Sequence, residues 1–121
     1  MGRTPPTGNP GELRWLAGLL EGEGHFRWDR KPIIQVQMTD RDVIERAGRA
    51  MGSPSIRPGY KSKRLRVDGS PRLASFCAGA YGTRAAELMM TLHGLMGIRR
   101  KNQIRMALAE WACRRSRYCG A

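Results

Sequence analysis

The chain has 121 residues and a formal net charge of +12, with 22 Lys and Arg against 10 Asp and Glu. This length corresponds to one domain, and 40% hydrophobic with 26% charged residues is typical of a soluble globular protein, not a disordered one. No apolar run approaches the roughly 20 residues needed to cross a bilayer, and no signal-peptide core is present, so we expect a cytoplasmic protein.

The positive charge indicates a polyanionic partner. Residues 1–30 carry equal numbers of basic and acidic side chains, whereas residues 99–121 carry the largest basic surplus. Nucleic acid or an anionic membrane surface accounts for so basic a small domain, and charge needed only for solubility is usually smaller. Because the basic residues fall mostly in strand-like and turn-like segments, and not along one amphipathic helix, nucleic acid is favoured.

The first residues in chain order predict a lead-in followed by a helix. Residues 1–10 are rich in Pro and Gly without periodicity, so we expect a flexible segment there. A helix is predicted from near Gly11 until the glycines at 22 and 24 end it. Its apolar stripe consists of Leu13, Leu16, Ala17 and Leu20.

Two alternating segments then predict a β-hairpin with one apolar and one polar, basic face. The segment HFRWDRK is expected to be the first strand, Pro32 to interrupt it, and residues 34–38 to be the second. The apolar face would carry Phe26, Trp28, Ile34, Val36 and Met38.

The second half predicts two helices around another β region. Thr39 and Asp40 are candidate caps of a helix that Gly52 ends. Strands are expected near residues 55–61 and 73–80, with the register of the later one left open. A helix capped by Thr83 and stopped by Gly97 follows, and the last helix spans about 101–113 before a basic tail, 114–121. The inward positions of these helices are expected to be Ala85, Leu88, Met89, Leu92, Leu95, Met96, Ile104, Leu108 and Trp111.

The three cysteines do not predict a metal site. Cys77, Cys113 and Cys119 are an odd number and form no CxxC or Cys/His pattern. We expect reduced thiols, with Cys77 buried.

Residues 16–24, LAGLLEGEG, carry the most specific chemistry in the chain. Gly18 and Gly22 lie four apart on one helix face, which permits another helix to approach closely. Glu23 follows, where the helix gives way to a strand. A negative charge is unfavourable at a helix C-terminus, so a cation is expected beside it.

These nine residues resemble the signature of the LAGLIDADG homing endonucleases, and the similar layout extends over residues 12–113, including QMTDRDVIERA and GIRRKNQIRMALAEW. The resemblance implies an α+β domain at residues 11–113, of αββαββα order plus one further helix. A saddle-shaped antiparallel sheet would have its helices on one face. It also implies a homodimer formed through the motif helix, with an interface of Leu13, Ala17, Gly18, Glu21 and Gly22. Glu21 itself is expected to have a structural or capping role.

The resemblance further implies the catalytic groups. Glu23, with help from the Gly22 carbonyl, would bind a divalent cation, Mg²⁺ or otherwise Mn²⁺ or Ca²⁺, at the scissile phosphates. Asp40 and a basic residue at the start of the final helix would order solvent nearby. The basic residue falls among Arg99, Arg100 and Lys101, with Lys101 or Arg99 preferred.

Strand alternation assigns the face that would contact double-stranded DNA. Arg suits guanine, Gln suits adenine, and Asp can accept from cytosine in the major groove. Further basic residues would extend this face and contact the backbone. The expected set is His25, Arg27, Asp29, Lys31, Gln35, Gln37, Arg57, Lys61, Lys63, Arg64 and Arg66.

The function expected is that of a site-specific, metal-dependent double-strand DNA endonuclease. One alternative is a non-cleaving relative that regulates by binding DNA or acts as an RNA splicing maturase, although retention of Glu23 favours cleavage. A generic RNA-binding domain is disfavoured because the predicted strand face lacks aromatic residues for base stacking. Without a flanking splicing domain, a free-standing, intron-encoded or phage-encoded protein is expected.

Overall fold

The computed structural model of the chain describes residues 8–53, 55–59, 67–69 and 73–118. Its elements follow in the order α1 (Pro10–Glu23), β1 (Gly24–Trp28), β2 (Pro32–Met38), α2 (Arg41–Met51), β3 (Arg57–Pro58), β4 (Phe76–Tyr81), α3 (Thr83–Leu92), a short 3-10 helix (His93–Leu95) and α4 (Ile98–Tyr118). The fold is α+β. No helix in the described ranges combines the length and the apolar character needed to span a membrane.

The strands form one four-stranded antiparallel sheet in the order β1-β2-β4-β3. The register of the three longer strands follows from two residue pairs: Gly24 lies opposite Val36, and Val36 lies opposite Ala78. The start of β1 and the end of β2 are therefore at the same end of the sheet, directly after the C-terminus of α1.

The two faces of the sheet have opposite character. Phe26, Ile34 and Val36 lie on the apolar face and join one buried cluster with residues of all four helices. The other face carries His25, Arg27 and Gln35, as strand alternation predicts. The core of the cluster contains Leu16, Leu20, Phe26, Ile34, Val36, Ile44, Met51, Leu88, Met89, Leu92 and Ile104.

Helices α1 and α2 are bounded by the residue types expected. The Asn9 side chain accepts hydrogen bonds from the backbone N–H groups of Gly11 and Glu12, so α1 begins at Pro10, one residue before the predicted start. Gly52 ends α2 with a φ of 76°, the left-handed conformation that glycine adopts at low cost. Asp40 occupies the N-cap position of α2 but makes no side-chain cap hydrogen bond.

The first strand is shorter than predicted. β1 ends at Trp28, and Pro32 is the first residue of β2 and pairs with Trp28. The chain reverses through residues 29–31, where Arg30 has a φ of 63° and the Asp29 N–H donates to the Lys31 carbonyl at 3.0 Å. Asp29 and Lys31 are therefore turn residues, because the reversal begins before either could join the ladder.

The second β region also differs from the prediction. Within the described residues β3 is limited to Arg57–Pro58, and β4 begins at Phe76 and extends to Tyr81, one residue beyond the predicted end. Cys77 lies on the polar face and is half-buried, not buried as expected. Burial raises the pKa of its thiol, an effect that the nearby Arg57 charge opposes.

Helix α3 begins and ends differently from the prediction. Gly82, with a φ of 66°, occupies the N-cap position instead of Thr83, which is the first helical residue. The helix ends at Leu92 and a 3-10 turn follows, so Leu95 is 48% exposed instead of buried. Met96, at 5% exposure, is buried as predicted.

Helix α4 extends beyond both predicted ends. It begins at Ile98 and continues to Tyr118, so residue 113 does not mark the end of the folded domain. The Trp111 ring lies edge-on to Trp28 with 6.5 Å between ring centroids, and the Arg114 guanidinium donates to the Arg30 carbonyl. These contacts attach the C-terminal half of α4 to the β1–β2 hairpin. Cys113 is a free, exposed thiol, and Cys119 lies outside the described residues.

Candidate functional site

One face of α1 is open to solvent along its glycines. Gly18 and Gly22 are both exposed, and a Cβ built on either would meet no atom within 4 Å among the described residues. The two glycines therefore do not serve to pack α1 on its own sheet. Of the other predicted interface residues, Ala17 is buried in the chain's own core and Leu13 packs partly against that core.

Glu23, the last residue of α1, is an exposed carboxylate. Neither a hydrogen bond nor an ion pair joins its side chain to any other described residue. The next residue, Gly24, pairs with Val36 near the end of β2, and Asp40 follows that strand. Glu23 and Asp40 therefore lie at the same end of the hairpin, as the sequence predicts.

Glu21 has the structural role expected of it. Its carboxylate accepts a hydrogen bond from the Gly97 N–H at the start of α4. Negative charge is favourable at a helix N-terminus, which offsets the unfavourable position of Glu21 near the C-terminus of α1. A Cβ on Gly97 would lie 2.9 Å from the Glu21 Oε1 atom, so the carboxylate would have to shift if another residue stood at that position.

Arg100 is the basic residue that reaches the end of α1. The residue is 6% exposed, and its guanidinium donates from Nε to the Glu21 carbonyl at 3.1 Å and from Nη1 to the Gln103 Oε1 atom at 3.0 Å. Arg99 is exposed and Lys101 is half-buried. The sequence preference for Arg99 or Lys101 therefore did not find the residue that contacts the motif.

Helical spacing could have identified Arg100. It lies four residues before Ile104, which the sequence analysis had already placed inward, and residues four apart on a helix share a face. Because Arg99, Arg100 and Lys101 are all basic, residue type alone does not distinguish among them.

The end of α1 offers oxygen ligands of the kind that Mg²⁺ prefers. The last carbonyls of a helix lack partners within the helix, so the Gly22 carbonyl and the Glu23 carboxylate form a small set of hard oxygen donors. Mg²⁺ is commonly held by one or two carboxylates together with water and substrate phosphates. Among the described residues no group of three or more His, Cys, Asp or Glu side chains forms a metal cage.

The polar face of the sheet presents a row of hydrogen-bonding side chains. His25 is exposed and pairs in register with Gln35, while Gln37 is exposed and donates from Nε2 to the Ser75 Oγ atom at 2.8 Å. Arg57 pairs in register with Cys77 at the opposite edge. Of the predicted DNA-facing residues, the structure thus brings His25, Arg27, Gln35, Gln37 and Arg57 onto one face.

The remaining predicted DNA-facing residues fall elsewhere. Asp29 and Lys31 lie in the hairpin turn, at the end of β1 away from Glu23, although both stay close to the polar face. The Asp29 carboxylate is 3.9 Å from the Arg27 guanidinium, and the Lys31 Nζ atom is 5.4 Å from the centroid of the Tyr81 ring. Lys61, Lys63, Arg64 and Arg66 lie outside the described residues.

Tyr81 is a member of this face that the sequence analysis missed. Its hydroxyl accepts a hydrogen bond from the Gln35 Nε2 atom at 3.4 Å, and the Arg57 guanidinium lies 5.2 Å from its ring centroid. The polar face therefore does carry an aromatic residue, contrary to the expectation used against a generic RNA-binding domain. The strand was predicted to end at residue 80. Extending it by one residue would have placed Tyr81 on the same side as Cys77 and Gly79 by alternation.

Gly79 makes room for the Tyr81 ring. A Cβ at position 79 would lie 3.0 Å from the Tyr81 hydroxyl oxygen and 2.8 Å from the Ile34 carbonyl oxygen. Residues 79 and 81 are on the same side of β4. The ring can lie over position 79 because no side chain occupies that space.

Compared with models of known protein families, with functionally characterised proteins and with solved structures, the chain matches none of them. Its function must therefore be inferred from its own residues and their geometry.

Proposed function

We propose that the protein is a site-specific, divalent-metal-dependent DNA endonuclease of the LAGLIDADG type that acts as a homodimer. The observation that carries this proposal is the position of Glu23. An exposed carboxylate with no partner among the described residues lies where an open glycine stripe on α1 meets one end of the polar sheet face. The observed element order, αββαββα with one further helix, fits the arrangement expected from the sequence motif.

The glycine stripe supports dimer formation. Gly18 and Gly22 leave the backbone of α1 accessible, so a second copy of the helix can approach to near backbone contact. A two-fold pairing through identical faces is the commonest form of homodimer. Such a pairing brings the two Glu23 residues, each at the end of its glycine stripe, to the centre of the assembly.

The chemistry assigned to the centre is phosphodiester hydrolysis. Glu23 and the Gly22 carbonyl would hold a divalent cation there, which would supply an activated water and offset charge on the leaving oxygen. Glu23 provides the charged ligand. Arg100 positions it indirectly, because its guanidinium donates to the Glu21 carbonyl two residues earlier. The carboxylate of Asp40, at the same end of the hairpin, orders solvent near that point.

The polar face and the net charge support duplex DNA as the substrate. A formal charge of +12 on 121 residues favours a polyphosphate partner, with affinity that falls as salt rises. Arginine and glutamine side chains on a β-sheet face are suited to base edges in the major groove. Each subunit would then recognise one half of a pseudo-palindromic site.

The first test is cleavage and binding by Glu23→Gln. The target is first identified by selecting wild-type-cleaved sites from a randomised duplex library with Mg²⁺. We expect the variant to lose cleavage while keeping specific binding, because it loses the charged ligand but no DNA-facing residue. Glu87→Gln, which changes an exposed carboxylate on α3, is the matched control and should cleave like the wild type.

Three outcomes contradict the assignment in different ways. Cleavage that persists in Glu23→Gln removes Glu23 from the chemistry. If the wild type binds a specific duplex but nicks none with Mg²⁺, the non-cleaving alternative of a DNA-binding regulator replaces the nuclease. Binding that prefers structured RNA over duplex DNA favours the maturase alternative.

A further inference from the structure

We infer that Arg27, Gln35 and Tyr81 act as one recognition unit that selects guanine at a single position in each half-site. Arg27 contacts the base, and Gln35 and Tyr81 are positioning residues. This inference rests on the proposed DNA-binding function and deepens it, because it assigns different roles to side chains on one face.

The hydrogen bonds of Gln35 determine its role. Its Oε1 atom accepts from the Arg27 Nε atom at 3.3 Å and from the Arg27 Nη2 atom at 3.1 Å. A guanidinium only donates, so the amide oxygen must face Arg27 and the amide nitrogen must face Tyr81. The two lone pairs of that oxygen are both used. Gln35 is therefore not free to accept from an adenine amino group, the contact that its residue type alone suggests.

Arg27 keeps the donors that guanine requires. A guanidinium has five N–H donors, and the Nε and Nη2 donors on one edge are directed to Gln35. The Nη1 and outer Nη2 donors lie on the other edge and hydrogen-bond to no described residue. Asp29 forms an ion pair with Nη1 at 3.9 Å, beyond hydrogen-bonding distance. Two parallel donors of this kind match the O6 and N7 acceptors of guanine.

Tyr81 holds the unit in place from the neighbouring strand. Its hydroxyl oxygen accepts the Gln35 Nε2 donor at 3.4 Å, which is a weak bond alone but fixes the second end of the amide. The Tyr81 ring is flanked by Lys31 and Arg57 at 5.4 and 5.2 Å from its centroid, within the range of cation–π attraction. Strand register brings Arg27 and Tyr81 to the same level on either side of β2, since Arg27 lies opposite Ile33 and Ile33 lies opposite Tyr81.

Orienting Arg27 before DNA binds reduces the conformational entropy lost on contact. A free arginine side chain would lose several rotatable bonds on binding. Two bonds from Gln35 already restrict the Arg27 guanidinium, and Tyr81 restricts Gln35. The preference for guanine should therefore depend on a hydroxyl that does not itself touch the base.

The test is a binding-site selection from randomised duplexes, carried out in the Glu23→Gln background so that bound DNA stays intact. The background protein should select guanine at one position in each half-site. Arg27→Gln should lower that preference by about tenfold or more. Tyr81→Phe, which keeps the ring and its cation contacts, should lower it at the same position by about two- to tenfold.

Glu87→Gln is the control, because it changes an exposed side chain on α3 that lies outside the polar face. It should leave the guanine position unchanged. Thermal melting of each variant separates base preference from stability, and Tyr81→Phe should melt close to the background protein.

The results separate this inference from the proposed function. If Tyr81→Phe leaves an Arg27-dependent guanine preference unchanged, or if Gln35→Ala removes an adenine preference, the recognition unit is wrong while DNA binding stands. If the background protein selects no sequence at all, the DNA-binding proposal itself fails.

Discussion

At the scale of single residues, three carboxylates on α1 have three different environments. Glu12, in the first turn, accepts hydrogen bonds from Arg46 on α2, with the Arg46 Nε atom 3.2 Å from Glu12 Oε2. Glu21 caps α4, and Glu23 is unpaired among the described residues. The same residue type thus joins α1 to α2 at one end of the helix and has an exposed, unbonded carboxylate among the described residues at the other. The difference arises because the backbone places each side chain near different neighbours.

The Glu12–Arg46 pair should make stability depend on pH. The hydrogen bond from Arg46 holds the pKa of Glu12 below its ordinary value, so the stability it adds is present above the unfolded pKa of about 4.3. That stability is lost as pH falls through the lower folded pKa. We expect Glu12→Gln to melt below the wild type near neutral pH, and the difference to disappear in acid, below the lowered pKa of Glu12.

Melting curves at both pH values check this prediction. Glu87→Gln removes an exposed carboxylate without this pairing and should show no such pH-dependent difference. Arg46 also lies over the Trp15 ring, 3.9 Å from its centroid, and that contact is kept in Glu12→Gln. A loss of stability that persists unchanged in acid would show that the pair contributes through packing and not through charge.

At the scale of elements, β4 is limited by close approaches of its backbone. Ala78 and Ala80 face the buried cluster, while Cys77, Gly79 and Tyr81 face the polar side. A small residue is needed at position 79 because the Tyr81 ring and the β2 backbone both approach it. The strand that completes the polar face therefore depends on the absence of one side chain.

Gly79→Ala should destabilise the protein by about 1–3 kcal/mol. The added Cβ would lie 2.8 Å from the Ile34 carbonyl oxygen, and backbone cannot move aside as a flexible side chain can. Denaturant unfolding measures the change. Gly94→Ala is the control, because a Cβ there meets nothing within 4 Å. Equal stability of the two variants would contradict the close packing of β4 on β2.

At the scale of the whole molecule, the open side of α1 is the feature that a single chain leaves unexplained. Gly18 and Gly22 cost helix stability, since glycine is about 1 kcal/mol less favourable than alanine in a helix. Nothing within 4 Å in the described residues uses the space that they leave. Under the proposed dimer, a second copy of α1 would pack in the space that the two glycines leave. The proposed cleavage centre would then form only when two chains assemble.

Gly18→Leu should shift the protein from dimer to monomer. A Cβ at this position meets no described atom within 4 Å in the single chain, but a leucine side chain would hold apart two helices that pack at their glycines. Sedimentation velocity with and without target DNA measures the shift, and cleavage should fall with the dimer fraction. Gly94→Leu adds the same side chain in open space elsewhere and should remain dimeric. A Gly18→Leu protein that still sediments as a dimer would exclude this face as the interface.

Parts of the site could be located from the sequence because their signals are local. Alternation placed His25, Arg27 and Gln35 on one face, and the junction of helix and strand placed Glu23 at its end. Asp29 and Lys31 were expected on the first strand, which Pro32 was expected to interrupt. Instead β1 ends at Trp28 and the chain reverses through residues 29–31, where Arg30 has a left-handed backbone conformation. Tyr81 was missed because the predicted strand ended one residue too early, and Arg100 stayed one of three basic candidates at the start of the final helix.

The sequence by itself determined the α+β class, the start of α1, the two faces of the hairpin and the basic character of the chain, because each follows from local periodicity, capping or composition. Only the tertiary structure decided that Arg100 binds the Glu21 carbonyl and that Gln35 binds Arg27 and Tyr81. These contacts join residues 79, 46 and 8 positions apart, and local patterns do not specify which distant partner occupies a hydrogen bond. The roles proposed for Arg27, Gln35 and Tyr81 therefore depend on how β1, β2 and β4 are paired. The sequence of one strand alone does not specify that pairing.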